Sequence, residues 1–238
     1  MELIVIGSSS LGNSYALQAD TGEILLLEAG RHFREVKKTI GYATSSISGC
    51  IVSHEHGDHA KYIPEYLKAG ISVYSNEKVA EKYSGVISRC IGSTFQIGDF
   101  KVTPFDVEHD VVNYGYLIHH PSYGSIFFAT DCYNLKYCIK GCKTYLMECN
   151  YEDELLNKAV NEGKVSVSQS DRIRLSHMSL PHAVKFLQDC EAEKSATQIV
   201  LIHGSARHLN AKLAINKFQQ VLGIPTYYAE KDIELLFL

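Results

Sequence analysis

The chain has 238 residues, with 23 Lys+Arg against 27 Asp+Glu for a net charge of −4, and is 45% hydrophobic and 21% charged. This is the composition of a globular protein of one large or two small domains, and it excludes a disordered chain, a collagen-like chain and a broadly cationic nucleic-acid binder. Eleven histidines stand against three Met and no Trp, and because imidazole is the commonest metal ligand, their arrangement is the question the sequence poses.

The N-terminal stretch MELIVIGSSS has no basic leader region and no small-residue cleavage site, so it does not read as a signal peptide. No apolar run approaches the roughly 18–20 residues that span a bilayer. Seven cysteines, an odd number, lie mostly in apolar runs. Cys132, Cys138, Cys142 and Cys149 match no zinc-ribbon spacing, and the reading is of free thiols in a reducing, cytoplasmic setting.

In chain order, β-rich runs at Leu3–Ile6, Tyr15–Ala19, Ile24–Leu27, Cys50–Ser53, Val73–Ser75, Val102–Val107, Tyr114–Ile118 and Ser125–Ala129 are separated by turns such as Asp20–Gly22 and Gly98–Asp99. Helical spacing appears at Phe33–Ile40, at Ala60–Leu67, at Leu180–Glu193 with Ser176 or Ser179 as cap and Pro181 in the first turn, and at Ala206–Val221. Strand-like Ile199–Ile202 lies between the last two helices, and Thr226–Tyr228 and Ile233–Phe237 follow. Interspersed strands and helices, without a linker, repeat or low-complexity segment, predict one layered α/β domain over residues 1–238.

The decisive stretch is Cys50-Ile-Val-Ser-His54-Glu-His56-Gly-Asp58-His59. An apolar strand runs into four donors, and Gly57 lets the backbone turn. His54 and His56, two apart on an extended segment, point to one side. Asp58 and His59 arise as the chain enters a helix. One loop can thus offer two imidazoles to one ion and a carboxylate plus an imidazole to a second, about 3.5–4 Å away.

This motif resembles the metallo-β-lactamase superfamily, and the resemblance extends over essentially the whole chain because later segments fall in the expected order. It implies a four-layer αβ/βα sandwich with a two-metal site at one edge. Asp106-Val-Glu-His109 matches the next ligand position, Ile126-Phe-Phe-Ala-Thr-Asp131 the acid that bridges both ions, and Val200-Leu-Ile-His203 the last ligand. The implied metal set is His54, His56 and His109 for one ion and Asp58, His59 and His203 for the other, with Asp131 between them. The implied cofactors are two divalent ions, Zn2+ foremost, with Mn2+ or Fe2+ as alternatives.

Within the superfamily, Gly7-Ser-Ser-Ser-Leu-Gly12-Asn13-Ser14 resembles a loop of the YycJ/WalJ-type metallo-hydrolases. Met147-Glu148-Cys149-Asn150 and Ser176-His177-Met178-Ser179 resemble segments of ribonuclease Z. These likenesses imply catalytic roles for Asp58, for His177 as proton donor and for Glu148 as its orienting partner, with a hydroxide between the ions attacking phosphorus. A histidine beside a helix N-terminus is also where an anionic phosphate is favoured. Ser205 and Arg207 resemble the His-Phe-Ser-x-Arg stretch of ribonuclease Z and are candidate phosphate contacts, and Arg174 is a candidate from local charge. Glu28 stands where the superfamily usually carries Asp, a departure that bears on how the metal loop is braced.

The expected activity is therefore a phosphodiesterase acting on nucleic acid. The alternative is a small-molecule phosphodiesterase for cyclic nucleotides or other cyclic phosphates, which the acidic net charge favours. A thioester hydrolase and a non-catalytic metal-retaining binding protein rank below both. Expected partners are the phosphodiester substrate and a second copy of the chain in a homodimer, with no membrane association.

Overall fold

The computed structural model describes residues 1–231 and 233–237. Two seven-stranded mixed sheets face each other. The first carries, in spatial order, β14 (Glu234–Leu236), β1 (Glu2–Gly7), β2 (Ser14–Gln18), β3 (Ile24–Leu27), β4 (Ile47–Ile51), β5 (Val73–Ser75) and β6 (Ile87–Ser88). The second carries β13 (Thr226–Tyr228), β12 (Gln198–Ile202), β11 (Thr144–Glu148), β10 (Gly124–Ala129), β9 (Asn113–His120), β8 (Phe100–Val107) and β7 (Phe95–Ile97). In each sheet a run of antiparallel pairs passes into a run of parallel ones, at β3–β4 and at β10–β11.

Strand alternation builds the layers, because successive side chains leave a strand on opposite faces. On β1, Leu3 and Val5 join the layer between the sheets, with Tyr15, Leu27, Phe128, Leu146 and Val200. Ile4 and Ile6 face the other way, onto α1 (Phe33–Thr39), α2 (Gly57–Ala60), α3 (Ile63–Lys68) and α4 (Glu77–Lys82) through Phe33, Val36, Ile63 and Val79. On the far side of the second sheet, Phe127, Tyr145 and Leu201 pack against α7 (Leu180–Asp189) and α8 (Ala211–Leu222) through Leu187 and Phe218. Both sheets are covered on both faces, which is why their strands read as continuous apolar runs. The result is the four-layer αβ/βα arrangement expected from the sequence.

Several element expectations need correction. The helix expected over Ala60–Leu67 is two pieces, α2 and α3, with Pro64 in the first turn of α3. The helix expected from Ala206 starts at Ala211, where the Asn210 side chain accepts the Leu213 N–H. Strands β6, β7 and β11 are not among the expected ones, nor are α4, α5 (Asp153–Asn161) and α6 (Val167–Ser176). Helix α6 has no apolar stripe and is started instead by a capping box between Ser166 and Gln169. Among the described residues no helix is long and apolar enough to cross a membrane.

All seven cysteines are free; Cys90 and Cys138 are exposed and the other five buried. Burial pushes the Cys142 thiol up to about 12, and only a thiolate attacks a disulfide reagent. Native protein should therefore release about two equivalents of thionitrobenzoate rapidly from Ellman's reagent, and all seven thiols only in denaturant. Rapid labelling of the buried five in the folded state would contradict this packing.

Candidate metal centre

The predicted donors cluster at one edge of the sandwich, where strands of the same direction end. β4 leads into His54 and His56, β8 into His109, β10 into Asp131 and β12 into His203, while Asp58 and His59 sit on α2. His54, His56, His109 and Asp131 offer ligand atoms that all lie within 4.8 Å of one another, and so do Asp58, His59, Asp131 and His203. Asp131 belongs to both groups, and its oxygens divide between them. Oδ2 is 3.7 Å from His54 Nε2, whereas Oδ1 is 3.3 Å from His59 Nε2 and 3.0 Å from His203 Nδ1. Asp58 Oδ2 closes the second group, 3.4 Å from His59 Nε2 and 3.3 Å from His203 Nε2.

The donor chemistry fits divalent ions. His54 is fully buried, its Nδ1 lies 2.8 Å from Ser53 Oγ, and its Nε2 has no hydrogen-bond partner. A buried polar atom left unpaired costs roughly 1–3 kcal/mol, which an ion at that nitrogen would remove. Burial and the neighbouring His59 imidazole push the His54 pKa well below its usual value, and burial likewise lowers that of His109. Both are thus held as neutral imidazoles, the ligating form. In the second group burial opposes charging of the histidines, yet Asp131 and Glu28 hold His59 well above its usual range, and Asp131 and Asp58 hold His203 at about 10. The His203 and His59 partners hold Asp58 ionised, below the usual carboxylate range, against its own burial. An ion entering this group displaces protons, so its affinity should fall as pH drops.

The backbone at this edge is strained where it presents donors. Of five non-glycine residues with positive φ among the described residues, three are Glu28 (66°), Asp131 (49°) and His203 (52°). Each costs about 1–3 kcal/mol and persists only where the surroundings dictate it. Here they do. Asn113 Nδ2 donates to the carbonyls of Thr130 and Asp131 at 2.9 and 2.7 Å. Asn150 Nδ2 donates to His203 O at 2.7 Å, and the His203 N–H donates to Ser8 Oγ at 2.9 Å. Glu28, fully buried, accepts the Ser53 N–H at 3.2 Å and lies 3.4 Å from His59 Nδ1. The extra methylene relative to Asp therefore still reaches the back of the metal loop.

Apart from Glu28, sequence reading missed this bracing layer. Asn13, buried between β1 and β2, takes the carbonyl of Asp58 through its N–H at 2.7 Å and places Nδ2 3.0 Å from His59 Nε2. Its Gly-Asn-Ser context was the one signal in the sequence. A Cβ at Gly30 would lie 1.7 Å from Asp58 O, so only glycine permits this approach. Asp110 was also unforeseen. Its Oδ1 lies 3.1 Å from His109 Nε2 and 3.5 Å from His56 Nε2 at the open side of the first group.

Beside the second group stands Glu148, fully buried at the end of β11. Its Oε1 is 2.7 Å from His177 Nδ1 and 3.0 Å from His203 Nδ1, and its Oε2 accepts the N–H groups of Cys132 and Met178 at 2.9 and 3.2 Å. His177 ends α6, and Ser179, not Ser176, caps α7. A recess of about 610 Å³ opens here, lined by His177, His203, Ser205 and Arg207 together with the Ser9–Leu11 loop. Arg174 is elsewhere: it is ion-paired with Asp153, bonded to Asn157 Oδ1 at 3.0 Å and laid over Tyr151. The charge run that suggested it as a phosphate contact is a tie between α6 and α5.

Divalent cations held by these donors would tie this edge together. Chelation is expected to lower the melting temperature, and Zn2+ at about 100 times its Kd to restore about 2.7 kcal/mol. Differential scanning calorimetry with and without chelator checks this; indistinguishable transitions would count against ion binding.

Comparison with known proteins agrees with this geometry. The family model described as the β-lactamase superfamily domain matches residues 25–204. A relative from Bacillus anthracis, exodeoxyribonuclease YycJ, is 25% identical over 82% of this chain and 88% of its own. Among solved structures, the metallo-β-lactamase fold protein YhfI of Bacillus subtilis superposes with a TM-score of 0.75 at 18% identity, over 98% of both chains. A diphosphatase of the PhnP family gives 0.72 at 16% identity, over 98% of this chain and 96% of that one. Human tRNase Z, short form, gives 0.68 at 17% identity over the whole of both. With the family domain running over three quarters of its length, from β3 to the residue after His203, the chain belongs to the β-lactamase superfamily.

Proposed function

We propose that the chain is a two-ion phosphodiesterase acting on nucleic acid, with His54, His56 and His109 holding one ion, Asp58, His59 and His203 the other, and Asp131 between them. The observation that carries this reading is the continuity of the site. Asp131, Glu148, His177 and His203 form one group within 4.8 Å, so the metal donors run without a break into a carboxylate–imidazole pair at the mouth of the recess. Bound there, divalent ions polarise a phosphoryl oxygen and bring the pKa of water toward neutrality.

The chain's own residues do the rest. With Nδ1 engaged by Glu148, His177 has Nε2 left for substrate. Burial works against its charged form, but the Glu148 carboxylate outweighs this and holds the His177 pKa above the usual value. That shift favours the protonated form, which can deliver its proton to the departing alkoxide. Glu148 stays ionised beside His177 and His203 despite its burial, and so stabilises the imidazolium before transfer. Ser205 and Arg207 line the same recess as His177, which supports them as phosphate contacts, and Arg207 makes no ion pair among the described residues. The Bacillus anthracis relative, named as an exodeoxyribonuclease, supports DNA as the first substrate to try. Seven unpaired thiols support a reducing, cytoplasmic setting, and the His-rich donor set supports Zn2+ ahead of Mn2+ or Fe2+.

One observation favours the small-molecule alternative. Arg207 is the only Lys or Arg among the residues lining the recess, whereas a long nucleic acid wants several phosphate contacts. Assays of the Zn2+- and Mn2+-loaded protein on linear DNA, linear RNA, cyclic mononucleotides and bis-p-nitrophenyl phosphate rank the two. Turnover of DNA or RNA above the cyclic nucleotides supports the nuclease. No turnover of any substrate with either ion overturns both.

A further inference from the structure

At the opposite edge of the sandwich the sheets meet again, and a second donor cluster lies there. Glu23 follows the β2–β3 turn, Asp99 sits in the β7–β8 turn, and His120 ends β9. Ligand atoms of the three lie within 4.8 Å of one another. We propose that Glu23, Asp99 and His120 form a further divalent-cation site, selective for Zn2+ over Ca2+ or Mg2+, that clips the first sheet to the second at the edge remote from the histidine cluster.

The observation that points to a ligand is His120. It is 2% exposed, and its Nε2 is buried without a hydrogen-bond partner, 3.8 Å from Glu23 Oε2. Ligand atoms about 2.1 Å from a tetrahedral Zn2+ stand roughly 3.4 Å apart, so a carboxylate rotation closes this pair onto an ion. Nδ1 lies 2.9 Å from Ser122 Oγ. Donation of Nδ1–H to that hydroxyl leaves the Nε2 lone pair facing the carboxylates, the usual arrangement behind a ligating imidazole.

Glu23 is held in place for such a role. Both its oxygens accept the Asp99 N–H at 3.1 Å, and Oε1 accepts from Ser48 Oγ. A Cβ at Gly98 would lie 1.4 Å from that oxygen, and Gly98 has φ of 55°, so this turn admits the carboxylate only as glycine. An open recess beside Glu23 and Asp99 is lined further by Thr21, Gly22, Ser45 and Ser46, with no basic side chain among them. The two carboxylates bring negative charge that a divalent ion neutralises. The imidazole selects a transition cation over the oxygen-seeking Ca2+ and Mg2+.

The test compares wild type with Asp99→Asn, an exposed turn position outside the catalytic machinery, and with His120→Gln. Bound zinc per chain is measured after dialysis, together with an anomalous-difference map of zinc-soaked crystals. The expected result is one fewer equivalent in Asp99→Asn, unchanged phosphodiesterase activity, and a wild-type anomalous peak within about 2.2 Å of Glu23, Asp99 and His120. The competing arrangement is the other tautomer, with Nδ1 accepting the Ser122 N–H at 3.3 Å and Nε2–H turned to Glu23. Equal zinc content in wild type and Asp99→Asn, with no peak at this edge, establishes that pair and overturns the site. Should His120→Gln fail to fold, Asp99→Asn and the map decide the matter. Both readouts are independent of whether the histidine cluster cleaves phosphodiesters.

Discussion

Asp131→Asn is expected to lower phosphodiester turnover by about 10³-fold or more, beyond the 10–100-fold typical of a group behind the ligands. Asp131 is the only residue shared by both donor groups, and the amide keeps its size while removing the charge that faces His54, His59 and His203. Bound metal should fall by at least one ion per chain, measured by inductively coupled plasma mass spectrometry alongside kcat. The fold should survive, because Asn113 grips the main chain at Thr130 and Asp131 rather than the carboxylate. Turnover within tenfold of wild type at full metal content would show that no shared ligand is needed.

His177→Ala is expected to lower kcat on DNA by about 10²–10⁴-fold with metal content unchanged. The effect should depend on the leaving group. An alkoxide departing from a nucleotide needs a proton, whereas p-nitrophenolate scarcely does, so bis-p-nitrophenyl phosphate should be affected far less. A purely structural role would slow both substrates alike. The pH profile gives a second readout. The donor acts when protonated, so wild-type kcat should fall as pH rises through a pKa that Glu148 holds above the ordinary histidine value. Glu148→Gln removes the carboxylate that raises that pKa and should move this limb to lower pH. If His177→Ala and wild type share the same alkaline limb, another group supplies the proton.

The candidate donors were legible because most of them follow an apolar strand, and a strand that ends at the edge of a sheet delivers its next residues there. The His54–His59 run carries four donors in one loop, and the acid or imidazole after the strands near Asp131 and His203 repeats the same local pattern. Short β-rich runs bounded by turns similarly marked most strands of both sheets. Residues 153–176 were illegible by that logic. Helix α6 has no stripe to read, and its contribution, the placement of His177, comes from a capping box and its packing on α5.

What the sequence determined by itself was the chemistry: imidazoles and carboxylates at strand ends, in an order that admits two ions and a proton donor. What only the tertiary structure decided was the support and the exclusions. Asn13, Asn113 and Asn150 brace the donors across long stretches of chain, Arg174 turns away to Asp153, and Glu23, Asp99 and His120 converge at the far edge. The reason is physical. A ligand's identity is local, but a hydrogen bond or an ion pair depends on distances that exist only once the two sheets have closed on each other.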